Sequence, residues 1–128
     1  MNYEHIVEGC FQERPNRFIA LVEIEGQIEK VHVKNTGRCR ELLKKGERVY
    51  LNRSDSAGRS TAYDLIAVQK GKRLINMDSQ APNKAVLEWL QSGRLFPDTV
   101  LIRPETNYGD SRFDFYIETE TDKIFMEV

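Results

Sequence analysis

Apolar and polar side chains alternate from Arg17 to Glu25 and again from Gln27 to Asn35, with Glu25-Gly26 between the two runs. Period-two alternation on both sides of a two-residue turn predicts a β-hairpin. Centred on that turn, Phe18 pairs with Val33, Ala20 with Val31 and Val22 with Glu29. One face then presents Phe18, Ala20, Val22, Ile24, Val31 and Val33 to a core. The opposite face sets Arg17 beside Lys34, with Lys30 and His32 among Leu21 and Ile19. Asn35-Thr36-Gly37 breaks the pattern with turn residues. A short helix is expected over Arg40–Lys45, stopped by Gly46 as glycine stops helices.

Strands are expected next over Arg48–Asn52 and Ala62–Gln69, around a Ser/Gly/Asp-rich loop from Ser54 to Ser60. A turn at Lys70-Gly71-Lys72 leads into a further strand over Arg73–Met77. Five short strands with a small helix among them predict a compact barrel of the oligonucleotide-binding (OB) type. The pattern changes at Pro82. Proline suits a first helical turn, and Ala85, Val86, Trp89 and Leu90 recur at helical spacing until Gly93. Trp89 is read as a core anchor of that helix rather than as a platform for base stacking. Strands over Thr99–Arg103, Ser111–Glu118 and Lys123–Val128 follow, with a turn at Tyr108-Gly109. The expected organisation is a β-rich unit over residues 1–79 and a helix-strand-strand-strand unit over residues 80–128, mainly β with an α+β second half.

The last two strands form a hairpin if the chain turns at Glu120-Thr121. Ile117 then faces Ile124, Asp114 faces Glu127 and Phe113 faces Val128. Phe113, Phe115, Ile117, Ile124, Met126 and Val128 make one apolar face. Arg112, Asp114, Tyr116, Glu118, Lys123, Phe125 and Glu127 make the other. Directly opposed side chains sit about 4.5–5.5 Å apart at Cβ, where like charges repel. Two readings of Asp114 against Glu127 follow: a hard divalent cation such as Mg²⁺ or Mn²⁺ held between them, or an exposed face on which two solvated carboxylates repel weakly.

Composition places the chain among soluble globular proteins, with 40% hydrophobic and 30% charged residues. No apolar run approaches the roughly 20 residues of a membrane span, and Met1–Cys10 has no signal-like apolar stretch. Cys10 and Cys39 form no metal-binding spacing, which points to a reduced, cytoplasmic protein without a zinc site. Net charge is −1, so no global basic signature for nucleic acid exists. The distribution is uneven: residues 10–60 hold 11 Lys/Arg against 7 Asp/Glu, and residues 101–128 hold 3 against 7. A basic front half and an acidic tail suggest two separate tasks.

Several stretches resemble the sugar fermentation stimulation protein family. They are Arg14-Pro15-Asn16-Arg17-Phe18, His32-Val33-Lys34-Asn35-Thr36-Gly37-Arg38, Glu41-Leu42-Leu43 with Gly46, and Glu105 through Phe115 followed by Glu127-Val128. The resemblance implies an OB-fold-like barrel followed by the first part of a restriction-endonuclease-like PD-(D/E)XK domain. It implies that Asp114 and Glu127 are the catalytic and metal-binding acids of that signature, with Mg or Mn as cofactor. The lysine two places after Glu127 lies beyond Val128, and family members continue further, so a truncated second domain is expected. On that reading the 128-residue form is inactive, and any nuclease activity belongs to the full-length protein.

A metal held there would polarise a phosphoryl oxygen and lower the pKa of a bound water. Glu105 is a candidate third metal ligand or a plain loop residue. Arg112 would contact phosphate or neutralise the acidic pair. In the basic half, Arg14, Arg17, His32, Lys34, Arg38 and Arg40 are candidate nucleic-acid contacts, with Phe18 or Tyr50 available for stacking. The bland alternative is a solvated barrel surface with Phe18 in the core.

The resemblance favours a DNA-binding protein, largely non-specific and connected with sugar metabolism, over a metal-dependent nuclease or a protein- or metabolite-binding module. A bare sheet edge in an incomplete second domain is compatible with a homodimer. No membrane partner is expected.

Overall fold

The computed structural model describes residues 3–35, 37–54 and 58–128. Parts of the expected 35–37 turn (Thr36) and 54–60 loop (residues 55–57) lie outside the described residues. Ten elements run in chain order: β1 Ile6–Glu13, β2 Ile19–Ile24, β3 Gln27–Val33, β4 Arg48–Arg53, β5 Tyr63–Lys70, β6 Arg73–Asn76, α1 Ala81–Gln91, β7 Thr99–Tyr108, β8 Ser111–Thr119 and β9 Lys123–Met126. The chain divides into two compact units, the second of them Gln80–Val128.

In the first unit the expected hairpin forms in the expected register, with Ala20 opposite Val31 and Val22 opposite Glu29. Glu25 and Gly26 both take positive φ, 51° and 82°, the conformation that lets a two-residue turn follow the right-handed strand twist. Ala20, Val22, Ile24, Val31 and Val33 are buried, the valine and isoleucine side chains contributing about 1.5–3 kcal/mol each. Phe18 corrects the pattern: it precedes β2 and is 54% exposed. The side chain of Asn16 accepts hydrogen bonds from the backbone N–H of Phe18 and Ile19, so a local turn sets the chain direction there before alternation begins.

β1 was not expected from the pattern, because Glu8-Gly9-Cys10 interrupts its alternation. It is nonetheless central, paired with β2 on one side and β4 on the other. β4 pairs with β5, and β5 runs parallel to β3 at His32–Asp64 and Val33–Leu65, closing a five-stranded barrel. β6 is an appendage of β5 and not one of the five ring strands. Gly9 is required at the crossing: a Cβ there would stand 2.4 Å from Val22 Cγ1 and 3.2 Å from the Glu23 carbonyl oxygen. The helix expected over Arg40–Lys45 is instead a single turn, in which Cys39 O accepts from the N–H groups of Leu42 and Leu43. Gly46, at φ 92°, donates to Phe11 O and returns the chain to the barrel.

The second unit packs α1 and β7–β8–β9 around Leu90, Phe115 and Ile117, flanked by Val86, Leu87, Phe96, Ile102, Ile124 and Met126. Proline sits in the first turn of α1, and Gly93 follows it at φ 74°. The helix buries Leu90 and turns Val86 and Leu87 inward. Trp89 falls at the margin of that stripe, 45% exposed, and is not the core anchor that helical spacing suggested. β7 runs on through Pro104 to Tyr108, past the expected end at Arg103, and the reversal lies at Gly109-Asp110. β8 and β9 pair as expected, Phe115 with Met126 and Ile117 with Ile124. Two residues leave the expected apolar face: Phe113 packs its ring on Phe125 at 5.1 Å, and Val128 is exposed. Among the described residues no helix is long and apolar enough to cross a membrane.

Candidate functional site

The basic residues of the first unit divide by what their side chains touch. Arg14 follows β1, and its two terminal nitrogens reach four backbone carbonyls. One donates to Gly37 O at 2.6 Å and Arg38 O at 2.8 Å, the other to Arg17 O and Asn35 O, both at 2.6 Å. All four terminal N–H groups are thereby used, and the buried Nε has no hydrogen-bond partner among the described residues. Arg14 is a clamp between two loops, not a free cation. Asn16 and Asn35 complete the build, each accepting backbone N–H groups from two or three residues further on.

That clamp underlies an open cleft of about 600 Å³, lined among others by Arg14, Arg17, Arg38, Arg40, Phe11 and Leu43. No acidic side chain among the described residues lines it. Among the described residues no carboxylate pairs with the side chain of Arg17, Arg38 or Arg40, whereas Arg48, Arg59, Lys70 and Arg112 each have a carboxylate partner. Phe18, next to Arg17, adds an exposed ring to this stretch of chain.

His32 and Lys34 belong to a different cluster. His32 Nδ1 lies 3.3 Å from Asp64 Oδ1, and Lys34 Nζ lies 3.9 Å from Asp64 Oδ2 and 4.0 Å from Asp78 Oδ2. Arg59 grips Asp64 through two bonds of 2.6 and 3.1 Å. Burial pushes the Asp64 carboxyl up, but the Arg59 hydrogen bonds, the Lys34 and Arg59 charges and the His32 contact outweigh it and hold it below the usual carboxylate value. These cations balance buried acids. Sequence reasoning did not single out Asp64, because the closure of β3 on β5 is what brings it beside His32.

In the second unit Asp114 and Glu127 meet through their carboxyl groups, although β9 ends at Met126, short of the expected Val128, and the ladder stops at Phe115–Met126 before the expected Asp114–Glu127 pair. Asp114 accepts from the Val128 backbone N–H at 2.8 Å and from Asn83 Nδ2 at 3.2 Å. The Val128 N–H holds its carboxyl below the usual value, helped by Asn83, Glu127 and the charge of Arg112 against a smaller effect of burial. Glu127 moves the other way, raised first by burial and then by its hydrogen bond to, and repulsion from, Asp114. The two carboxyls share a proton-seeking contact that a cation would replace.

Glu105 does not join them. It takes φ 51° within β7, and its carboxylate turns to Arg112 Nη2 at 3.0 Å. Among the described residues no group of three or more His, Cys, Asp or Glu side chains is gathered for a metal. The donor set on hand is therefore two carboxylates, which suits a hard cation that keeps water or phosphate oxygens as its remaining ligands. The Phe125 ring contacts Tyr108, Phe113 and Tyr116 at centroid distances of 4.8, 5.1 and 5.0 Å.

Residues 13–77 match the family model described as the SfsA N-terminal OB domain, and residues 80–128 match that of the sugar fermentation stimulation protein RE domain. The chain is 59% identical over 128 residues to the sugar fermentation stimulation protein homolog of Ruminiclostridium cellulolyticum, covering 100% of this chain and 57% of that protein. For the Clostridium beijerinckii homolog the identity is 55%, with the same coverage. A solved structure of Pyrococcus furiosus SfsA in complex with Ca²⁺ superposes with a TM-score of 0.82 at 29% identity, covering 99% of this chain and 55% of that one. The chain spans about half the length of the relatives it matches.

Proposed function

This chain belongs to the sugar fermentation stimulation protein family, and from that premise we propose that it binds DNA through the arginine-lined cleft of its barrel. The observation that carries the reading is the convergence of Arg17, Arg38 and Arg40 on one cleft that no acidic residue lines among those described. Guanidinium groups without carboxylate partners are the donors that phosphate oxygens take in pairs. Recognition through phosphates positions a strand without reading its sequence, so binding is largely non-specific.

The experiment is fluorescence anisotropy of labelled DNA at several salt concentrations. Affinity falls steeply with salt, and each of Arg17→Ala, Arg38→Ala and Arg40→Ala lowers the log–log salt slope by about 0.7–0.9. A slope unchanged in all three variants would sink the reading. Lys34→Ala serves as a comparison, because its ammonium faces Asp64 and Asp78.

A second reading rests on Asp114 and Glu127: they hold a hard divalent cation, and in the longer proteins of this family such a site serves phosphodiester hydrolysis. The Ca²⁺ of the P. furiosus protein and the two-carboxylate donor set support it. The cation supplies a Lewis acid for a phosphoryl oxygen. Asn83 and the Val128 N–H orient Asp114 for that ligation. Calorimetric titration with Ca²⁺ and Mn²⁺ should show weak binding, on the order of 0.1–1 mM, which Asp114→Asn eliminates. Equal heats from the parent chain and the variant would remove this site.

A further inference from the structure

We infer that the arginine cleft is an end-binding pocket, taking the terminal phosphomonoester of a single nucleic-acid strand in preference to the internal phosphodiesters. The inference rests on the nucleic-acid reading above and makes it specific. Three features of the cleft carry it.

The first is charge. Arg17, Arg38 and Arg40 line one cleft together with Arg14, and among the described residues no carboxylate lines it. An internal phosphodiester brings one negative charge, which leaves that concentration of cations largely unbalanced. A terminal phosphate carries about −1.5 to −2 at pH 7 and exposes three acceptor oxygens, enough to engage more than one guanidinium at once.

The second is size. The cleft is open to solvent and offers about 600 Å³, within the range of volumes that small-ligand sites present, which suits one nucleotide with its phosphate.

The third is rigidity. Arg14 draws the carbonyls of Arg17, Asn35, Gly37 and Arg38 onto one planar group, so the backbone of two cleft arginines is fixed by a third. Fixing the backbone from which Arg17 and Arg38 project lowers part of the ordering cost when the anion arrives. Arg14 is a positioning residue here, since its own donors are already engaged. Phe18, exposed beside Arg17, offers a ring on which the terminal base of an unpaired strand stacks.

The test compares three labelled single strands of one sequence: 5′-phosphorylated, 3′-phosphorylated and unphosphorylated, with the whole chain at fixed ionic strength. A phosphorylated strand should bind about tenfold more tightly than the unphosphorylated one, and the gap should close in Arg38→Ala and Arg40→Ala, whose folding is checked by thermal melts. Equal affinity for all three strands overturns the proposal while leaving DNA binding intact. A gap that persists in both variants overturns it too, by moving the end-binding elsewhere. No binding of any strand at low salt removes the nucleic-acid reading and this proposal together. A free deoxynucleoside monophosphate that competes as well as the strand end would reassign the cleft to a free nucleotide, and so overturns the claim for a strand.

Discussion

Replacing Arg14 with alanine should lower the melting temperature of the first unit by roughly 10–15 °C. The reasoning begins with four charge-assisted hydrogen bonds to backbone carbonyls of two loops. Such bonds contribute about 1.5–3 kcal/mol each where water cannot replace them. Three of these four lie in exposed surroundings, so the vacated carbonyls recover most of their hydrogen bonding from water. A net loss of roughly 2 kcal/mol remains, and a domain of this size shifts by about 4–8 °C per kcal/mol.

Arg14→Lys should recover little of it, because one ammonium cannot span four acceptors arranged around a planar fork. Differential scanning calorimetry on both variants decides the matter. A melting temperature within about 2 °C of the parent in Arg14→Ala would mean that the clamp is ornamental and that Arg14 is free to serve a ligand.

Asp64→Asn should cost about 3 kcal/mol at neutral pH and almost nothing in strong acid. Asp64 is 4% exposed and meets Arg59, Lys34 and His32. Removing one member of a buried ion cluster leaves the others uncompensated, at about 3–5 kcal/mol. The lower end applies because Arg59 and Lys34 retain some contact with water.

The sign of the pH effect follows from the direction of the shift. The folded-state carboxyl lies below its ordinary value of 3.8, so the unfolded chain binds the proton first as pH falls. The stabilisation is therefore complete above the unfolded value and is lost as pH drops through the lower folded value. Urea unfolding of the parent chain and Asp64→Asn, measured from pH 7 down to about pH 2.5, should show two stabilities converging below about pH 4. A difference that stays constant across that range would assign the loss to packing instead of charge.

Much of the fold was legible wherever alternation is regular. The register of β2 on β3 and of β8 on β9 followed from apolar periodicity and one turn position each, because a one-residue slip would turn every side chain to the wrong face. β1 escaped for the complementary reason. It is paired on both sides and carries Gly9 where two neighbouring strands crowd it, so its residues answer to closeness and not to alternation. Phe18 and Trp89 were misplaced because periodicity assigns a face without knowing where an element begins or which arc of a helix is covered.

The candidate sites show the same division. Asp114 near Glu127 was approached from the local hairpin register, although the ladder ends at Met126 and the Val128 N–H on Asp114 completes the meeting. Arg14, Arg17, Arg38 and Arg40 could be grouped as basic, yet nothing in their spacing distinguishes a clamp from a ligand-facing cation. That distinction depends on which carbonyls the loops turn inward, and although Asn35 read as a turn residue, neither it nor Asn16 shows from sequence which carbonyls Arg14 meets. Glu105 looked equivalent to Glu127 by residue type. Its left-handed backbone and its partner Arg112 set it apart.

The closure of the barrel through β3 and β5 has a consequence for how it comes apart. In an open sheet an edge strand can detach by breaking one ladder, and its amides then exchange with solvent on their own. Here β1 to β5 form a ring in which every strand has two neighbours, so detaching any one of them severs two ladders and opens the interior at Val22, Leu51 and Leu65 to water. The ring amides are thereby tied to a single opening event, while β6, attached on one side only, can breathe without it. The first unit therefore has little middle ground between intact and unfolded, and a ligand that grips its loops stabilises the whole ring at once.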